Sequence, residues 1–253
     1  ISTNALGLVR NVNFYDTDND LELNLSPQDI KDTYDAKSLI PTLETYFSLH
    51  PNSSYDYFLG DSGFDADDNY AYLHEKNIMP IISINPRNSS SLPQPGFNEI
   101  GIPLCPNDPS LPMVYDGITR EKGRADRIKY LCPKSQKTKV NGKTAYILRC
   151  DNPCTSSKCG RIKNITVNHN YRFNTSMPRD SQAWISLFKL RTICERAISQ
   201  IKNFMQLKIS KVRNTMSLKS DVLLACISQL IAFILIFRTG NSNNPLSIKS
   251  LIA

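Results

Sequence analysis

Leu8, Val9, Val12, Phe14 and Tyr15 give residues 7–15 the pattern of an extended strand. From Asp35 the period changes. Leu39, Ile40, Leu43, Tyr46 and Phe47 recur at helical spacing, and Pro51-Asn52-Ser53-Ser54 stops the helix after His50. Tyr55 to Leu59 is a short apolar strand that runs into Gly60-Asp61-Ser62-Gly63. A second helix follows over Asp67 to Glu75, and the apolar run Ile78 to Ile84 is a buried strand. Strand and helix in alternation predict an α/β sheet. The pattern breaks at Asn85-Pro86-Arg87-Asn88. From there to about Pro178 the chain is rich in Pro, Gly, Lys and Arg, with short β-like runs at Arg127–Leu131 and Thr144–Leu148. Helical spacing returns from Ser181 to Lys208 and again from Ser217 to Phe237. The organisation expected is a core built from residues 1–85 and 180–253, split by an insertion at 86–179.

Charge sharpens this division. Residues 1–75 carry 14 acidic and 3 basic side chains, whereas residues 118–163 carry 13 basic and 3 acidic. A concentrated basic block points to a polyanionic partner on that side of the molecule. Solvated surface faces explain the same composition without a partner.

The acidic turn Asp16-Thr17-Asp18-Asn19-Asp20 starts like a calcium loop. Leu21 stands where such a loop needs Gly and Pro27 where it needs Glu, so a solvated turn is expected. Seven cysteines form no regular framework, and no signal sequence precedes them, which points to a reducing, cytoplasmic setting. Five lie in the insertion. Cys132, Cys150, Cys154 and Cys159 could hold a structural Zn²⁺, although no CxxC pair is present; reduced, partly buried thiols are the alternative. The apolar run Val222 to Phe237 has 16 residues, short of the roughly 20 a membrane span needs, and contains Ser228 and Gln229. A buried core helix is expected there, with no membrane partner. His50, His74 and His169 have no partner pattern.

Two features carry chemistry. Asp61 falls at the end of a strand, where open α/β sheets place their sites, though an Asp before Ser-Gly is also an ordinary turn former. On the helix expected after the insertion, Phe188, Arg191, Glu195 and Lys202 are spaced by 3, 4 and 7 residues and share a face.

The run Phe188-x2-Arg191-x3-Glu195-x6-Lys202 resembles the Y-(2)-R-(3)-E-(6)-K motif of a large group of DDE-type transposases of bacterial insertion sequences. Gly60-Asp61-Ser62-Gly63-Phe64-Asp65 is similar to that group's motif around its second catalytic Asp, and the likeness extends over nearly the whole chain. It implies a ribonuclease-H-like α/β core with an insertion before the Glu helix, which the separation of 195 − 61 = 134 residues accommodates. The implied activity is metal-dependent cleavage and strand transfer of DNA. Asp61 and Glu195 would be catalytic ligands of Mg²⁺ or Mn²⁺, and Phe188, Arg191 and Lys202 would contact DNA. Two metals in such sites sit roughly 4 Å apart, so the two carboxylates should converge to within about 8 Å. The partners implied are transposon ends and target DNA, with a homodimer assembled on them in the nucleoid.

This chain departs from the pattern twice. Phe188 replaces the motif's Tyr and lacks its hydroxyl. The family's first Asp stands two strands upstream of the helix before Asp61, which places it before residue 1 and makes the core incomplete at its N-terminus; Asp16 is the alternative. A chain lacking that Asp would bind DNA weakly and cut nothing, so a catalytically inactive DNA-binding remnant is the competing reading.

Overall fold

The computed structural model describes residues 1–14, 35–88, 93–140, 142–166, 170–173, 176–204 and 214–238. The protein is mixed α/β, with helices and small sheets. In chain order the elements are β1 (Ser2–Thr3), β2 (Val9–Asn11), α1 (Asp35–Leu49), β3 (Tyr57–Gly60), α2 (Asp67–Glu75) and β4 (Met79–Ile82). Then come β5 (Leu104–Cys105), β6 (Asp108–Pro112), β7 (Val114–Thr119), β8 (Arg127–Leu131), β9 (Ser135–Val140), β10 (Lys143–Leu148) and β11 (Ile162–Thr166). Three helices follow: α3 (Gln182–Lys189), α4 (Thr192–Phe204) and α5 (Thr215–Arg238). The chain divides into two compact units, residues 1–53 with 189–253, and residues 54–188. The division places β3, α2 and β4 with the β-rich segment that follows them.

In the first unit β1 and β2 pair antiparallel, and Asn4 closes their turn by accepting from the backbone of Leu6 and Leu8. Val9, Ile201, Ala225 and Cys226 form the core, with Val12 and Val222 against it. Gln229, in mid-helix, explains itself here. Its Oε1 accepts from Val9 N and its Nε2 donates to Gly7 O, each at 3.3 Å, so it satisfies buried backbone groups of the β1–β2 ribbon. The strand expected over residues 7–15 is only three residues long, and the acidic turn 16–20 lies outside the described residues.

Helix α5 forms where expected but is not a buried core helix. Only 22% of its most apolar window is covered, although it is long and apolar enough to cross a membrane by length and composition. Its apolar residues run around the whole circumference, and only the stripe through Ala225, Cys226, Gln229 and Ile236 is buried. The helix expected over 181–208 is two helices. Thr192 Oγ1 donates to Lys189 O at 3.0 Å, and Ile193 N and Cys194 N donate to the carbonyls three residues back, Leu190 and Arg191. Such i to i+3 bonding tightens the chain and interrupts the α ladder. Leu190 and Arg191 therefore lie between helices, at the boundary of the two units.

The second unit opens with a β-α-β element. β3 and β4 are parallel, with Leu59 opposite Ile81 and Gly60 opposite Ile82. Tyr70 and Leu73 of α2 and Ile81 and Ile82 of β4 are fully buried. Asp67 and Asp68 stand in the first turn of α2 and His74 in its last, the order the helix dipole favours. Downstream lie an antiparallel sheet in the order β11-β8-β7, the hairpin β9–β10 and the pair β5–β6. Ile102, Met113, Ile128, Tyr130 and Ile165 form their core, flanked by Phe97, Ile100 and Tyr115.

A buried ion pair joins the β-α-β element to residues far along the chain. Arg172 Nε and Nη2 donate to the two carboxylate oxygens of Asp65 at 3.0 and 2.7 Å, and Arg172 Nη2 also reaches the carbonyls of Asn85 and Asn88. Asp65 accepts in addition from Tyr70 Oη at 2.8 Å and Asn85 N at 2.6 Å. Burial works against the Arg172 charge, but the hydrogen bonds and charge of Asp65 outweigh it and hold the guanidinium above its ordinary value. Removing one partner of such a pair leaves the other charged and unpaired, at a cost of about 3–5 kcal/mol. Arg172→Met and Asp65→Asn should each lower unfolding stability by about that much in urea titration; a loss under about 1 kcal/mol would show that the pair organises little.

Candidate functional site

The expected Asp61 lies at the C-terminal end of β3. A Cβ at Gly60 would stand 2.9 Å from Phe58 Cε1 and 3.0 Å from Phe64 Cδ2, so glycine lets those two rings close over the strand end. Asp61 is exposed. Its Oδ1 accepts from Gly63 N at 2.8 Å and caps the single 3-10 turn Ser62–Phe64. That bond fixes the side chain to the local backbone and leaves Oδ2 without a hydrogen bond among the described residues.

Glu195 lies in the first turn of α4, a position the helix dipole favours for a carboxylate. Its side chain is 57% exposed and makes an ion pair with Arg191 Nη1 through Oε1. Lys202, seven residues on, is exposed on the same helix face. Phe188 lies in the last turn of α3, its ring stacked on Trp184 with centroids 4.7 Å apart. Asp61 and Phe188 belong to one unit and Arg191, Glu195 and Lys202 to the other. Asp61 and Glu195 each keep a carboxylate oxygen free of hydrogen bonds among the described residues, the hard donor that Mg²⁺ or Mn²⁺ takes. Among the described residues no group of three or more His, Cys, Asp or Glu side chains is arranged to hold a metal. Asp16, Asp18 and Asp20 fall outside the described residues.

The cysteine-bearing segments of the insertion are hydrogen-bonded to one another. Cys132 N donates to Arg161 O, Ser135 N to Cys132 O, Arg149 N to Lys134 O, and Ser135 Oγ to Cys159 O. Gly160, at φ +81°, packs where a Cβ would come within 2.4 Å of Ser135 Oγ and 3.0 Å of Cys132 Cβ. Cys132, Cys150, Cys154 and Cys159 are all free thiols, with Cys132 buried and Cys159 Sγ 3.0 Å from Ser157 Oγ.

The structure sorts the cations of the basic block. Arg120 pairs with Asp126, Arg124 and Arg127 pair with Glu121, and Lys129 pairs with Asp116 at 2.8 Å. Lys122, Lys134, Lys137, Lys139, Arg149, Lys158, Arg161 and Lys163 make no ion pair among the described residues, and of these Lys137 and Lys139 are exposed on β9. Register pairs Lys137 with Tyr146 and Lys139 with Thr144, so these four residues share one face of the hairpin. Asp116 on β7 ties that face to the three-stranded sheet, accepting from both Lys129 Nζ and Tyr146 Oη. Lys129 and Lys137 each stand within 6 Å of the Tyr146 ring centre, at 5.6 and 5.9 Å.

Comparison with protein families, with curated proteins and with solved structures gives no match to this chain.

Burial works to raise the Asp116 carboxyl, but the hydrogen bonds from Lys129 and Tyr146 prevail and hold it below its ordinary value. A depressed folded value stabilises the protein above the unfolded carboxylate range, near pH 4, and the contribution disappears as pH falls through the folded value. The stability advantage of the wild type over Asp116→Asn should therefore be constant from about pH 5 to 8 and shrink below about pH 4. A difference unchanged down to pH 2.5 would mean that Asp116 acts through shape alone.

Proposed function

We propose that this chain belongs to a DDE-type transposase: an enzyme with a ribonuclease-H-like core that cuts and joins DNA with divalent cations. The observation that carries the reading is Asp61. It is an exposed carboxylate at the C-terminal end of a parallel strand in a β-α-β element, the place where α/β sheets present their sites. The Arg191–Glu195–Lys202 spacing on and before α4 supplies the second carboxylate and two cations.

Bound between such carboxylates, Mg²⁺ or Mn²⁺ supplies charge stabilisation to the attacking and leaving oxygens of a phosphodiester. The chain's own contributions are simpler. Asp61 is held by its bond to Gly63 N with one oxygen presented outward. Glu195 orders Arg191, and the exposed Lys202 offers a point charge to a phosphate. Lys137 and Lys139 on the β9–β10 face, with the other unpaired cations, would grip the DNA backbone. A homodimer assembled on DNA within the bacterial cell is the corresponding partner state. A second reading, a DNA-binding remnant without catalysis, is favoured by one fact: capping the Ser62–Phe64 turn is a sufficient structural task for Asp61.

A nicking assay on supercoiled DNA with Mg²⁺ or Mn²⁺ separates the two, using the longest reading frame that contains this chain. Metal-dependent nicking should fall on the order of 10²–10³-fold in Asp61→Asn and in Glu195→Gln, with DNA binding retained. DNA binding without any nicking selects the remnant, and nicking unchanged by either substitution contradicts the assigned residues. DNA binding should weaken steeply with salt, and Lys137→Gln with Lys139→Gln should make the log–log slope shallower by about two. An unchanged slope would remove this hairpin face from the interface.

A further inference from the structure

In the buried network of residues 54–188 one of the two guanidinium groups has no ion pair among the described residues. Its buried charged side chains, among the described residues, are Asp65, Arg172 and Arg179. Arg172 takes both oxygens of Asp65, and Tyr70 Oη takes a further bond to Oδ1, so Asp65 is spent. Arg179 donates from Nε to Ile82 O at 3.1 Å and from Nη2 to Tyr70 Oη at 3.0 Å. Its Nη1 is buried and has no hydrogen-bond partner among the described residues. Asp180, the next residue, makes no ion pair with it, and the half-exposed Asp67 lies within electrostatic reach of Arg172. Burial pushes the phenols of Tyr70 and Tyr130 well above their ordinary range, so both stay neutral and neither supplies the missing negative charge. A buried guanidinium without a counter-charge is costly. A water molecule would satisfy the N–H groups but not the charge.

The position of Arg179 says what the counter-charge is for. Ile82 ends β4 and is the register partner of Gly60, which ends β3, and Asp61 follows directly. The Arg179 guanidinium is therefore anchored at the carboxyl edge of the two parallel strands, the edge that presents Asp61. We infer that Arg179 is the anchor of an oxyanion site at this edge, taking a phosphate group on its free Nη1 N–H groups. Nη1 is closed to solvent in this structure, so occupancy of the site requires the strand edge to open. The inorganic site stands on this geometry alone; that its occupant is a phosphate of DNA rests on the DNA-processing reading.

The test is titration of the whole chain with inorganic phosphate at constant ionic strength without divalent metal, followed by calorimetry and by thermal unfolding. Saturable binding that raises the melting temperature is expected. It should persist in Lys137→Gln/Lys139→Gln, which removes charge from the basic hairpin. It should weaken about tenfold or more in Arg179→Lys, which keeps the charge but not the paired N–H geometry, and vanish in Arg179→Met. The wild type and the Lys variant decide the matter if the Met variant does not fold. No saturable phosphate binding by the wild type, or equal affinity in a folded Arg179 variant, overturns the site. Displacement of bound phosphate by a short DNA duplex assigns the site to DNA; failure to displace it, with DNA binding intact, overturns that assignment and leaves a site for free phosphate.

Discussion

The Asp65–Arg172 pair is the constraint on which the candidate site depends. It closes a contact between residues 107 apart in sequence, in an interior where an unpaired charge is costly. Asp65 follows the 3-10 turn that Asp61 begins. One end of that turn is held by the Asp61 cap, and the other by Arg172, Tyr70 and the backbone of Asn85. The carboxylate at the strand end is thus presented by a segment fixed at both ends. Arg172 in turn places the chain that leads to Arg179, whose Nε bonds the last carbonyl of β4. Two arginines and one aspartate, all buried, bring distant segments to the edge where Asp61 stands.

The basic block acquires a direction from the same structure. Cations on and around the turn between β7 and β8 are largely neutralised by Glu121, Asp126 and Asp116. Lys137 and Lys139 on the β9–β10 hairpin and Arg149, Lys158 and Arg161 after it make no ion pair among the described residues. A polyanion is therefore expected to meet the hairpin face rather than the sheet beside it, because only unpaired cations release counterions when they bind phosphate. Asp116 serves this arrangement indirectly: by holding Lys129 and Tyr146 together it sets the orientation of the face that carries Lys137 and Lys139.

Much of the local structure was legible in the residues. Helix α2 shows the acidic first turn that favours a helix start, β8 is a β-branched and aromatic run, and α1 is closed by Pro51. The Gly60-Asp61-Ser62-Gly63 step after an apolar run marked the strand end and with it half of the candidate site. What was not legible depended on contacts far away in sequence or on a single hydroxyl. The hydroxyl of Thr192 reaching Lys189 O breaks the helix, and spacing alone does not reveal this. Asp65 looked like one more acid in an acidic stretch because its partner lies beyond the insertion. Nothing in the periodicity of α5 distinguishes burial on one stripe from burial all round. Gln229, which read as an argument against a membrane span, proves to be the residue that satisfies the β1–β2 ribbon.

The central proposal is that Asp61 and Glu195, 134 residues apart in sequence, are both ligands of a divalent ion. Iron-directed cleavage of the protein tests it most directly. Fe²⁺ in place of Mg²⁺, with ascorbate and peroxide, generates hydroxyl radicals that cut the backbone beside the bound ion. Cuts are expected at both the end of β3 and the first turn of α4, suppressed together by excess Mg²⁺. Cuts at one of these places only, or at neither, would contradict it.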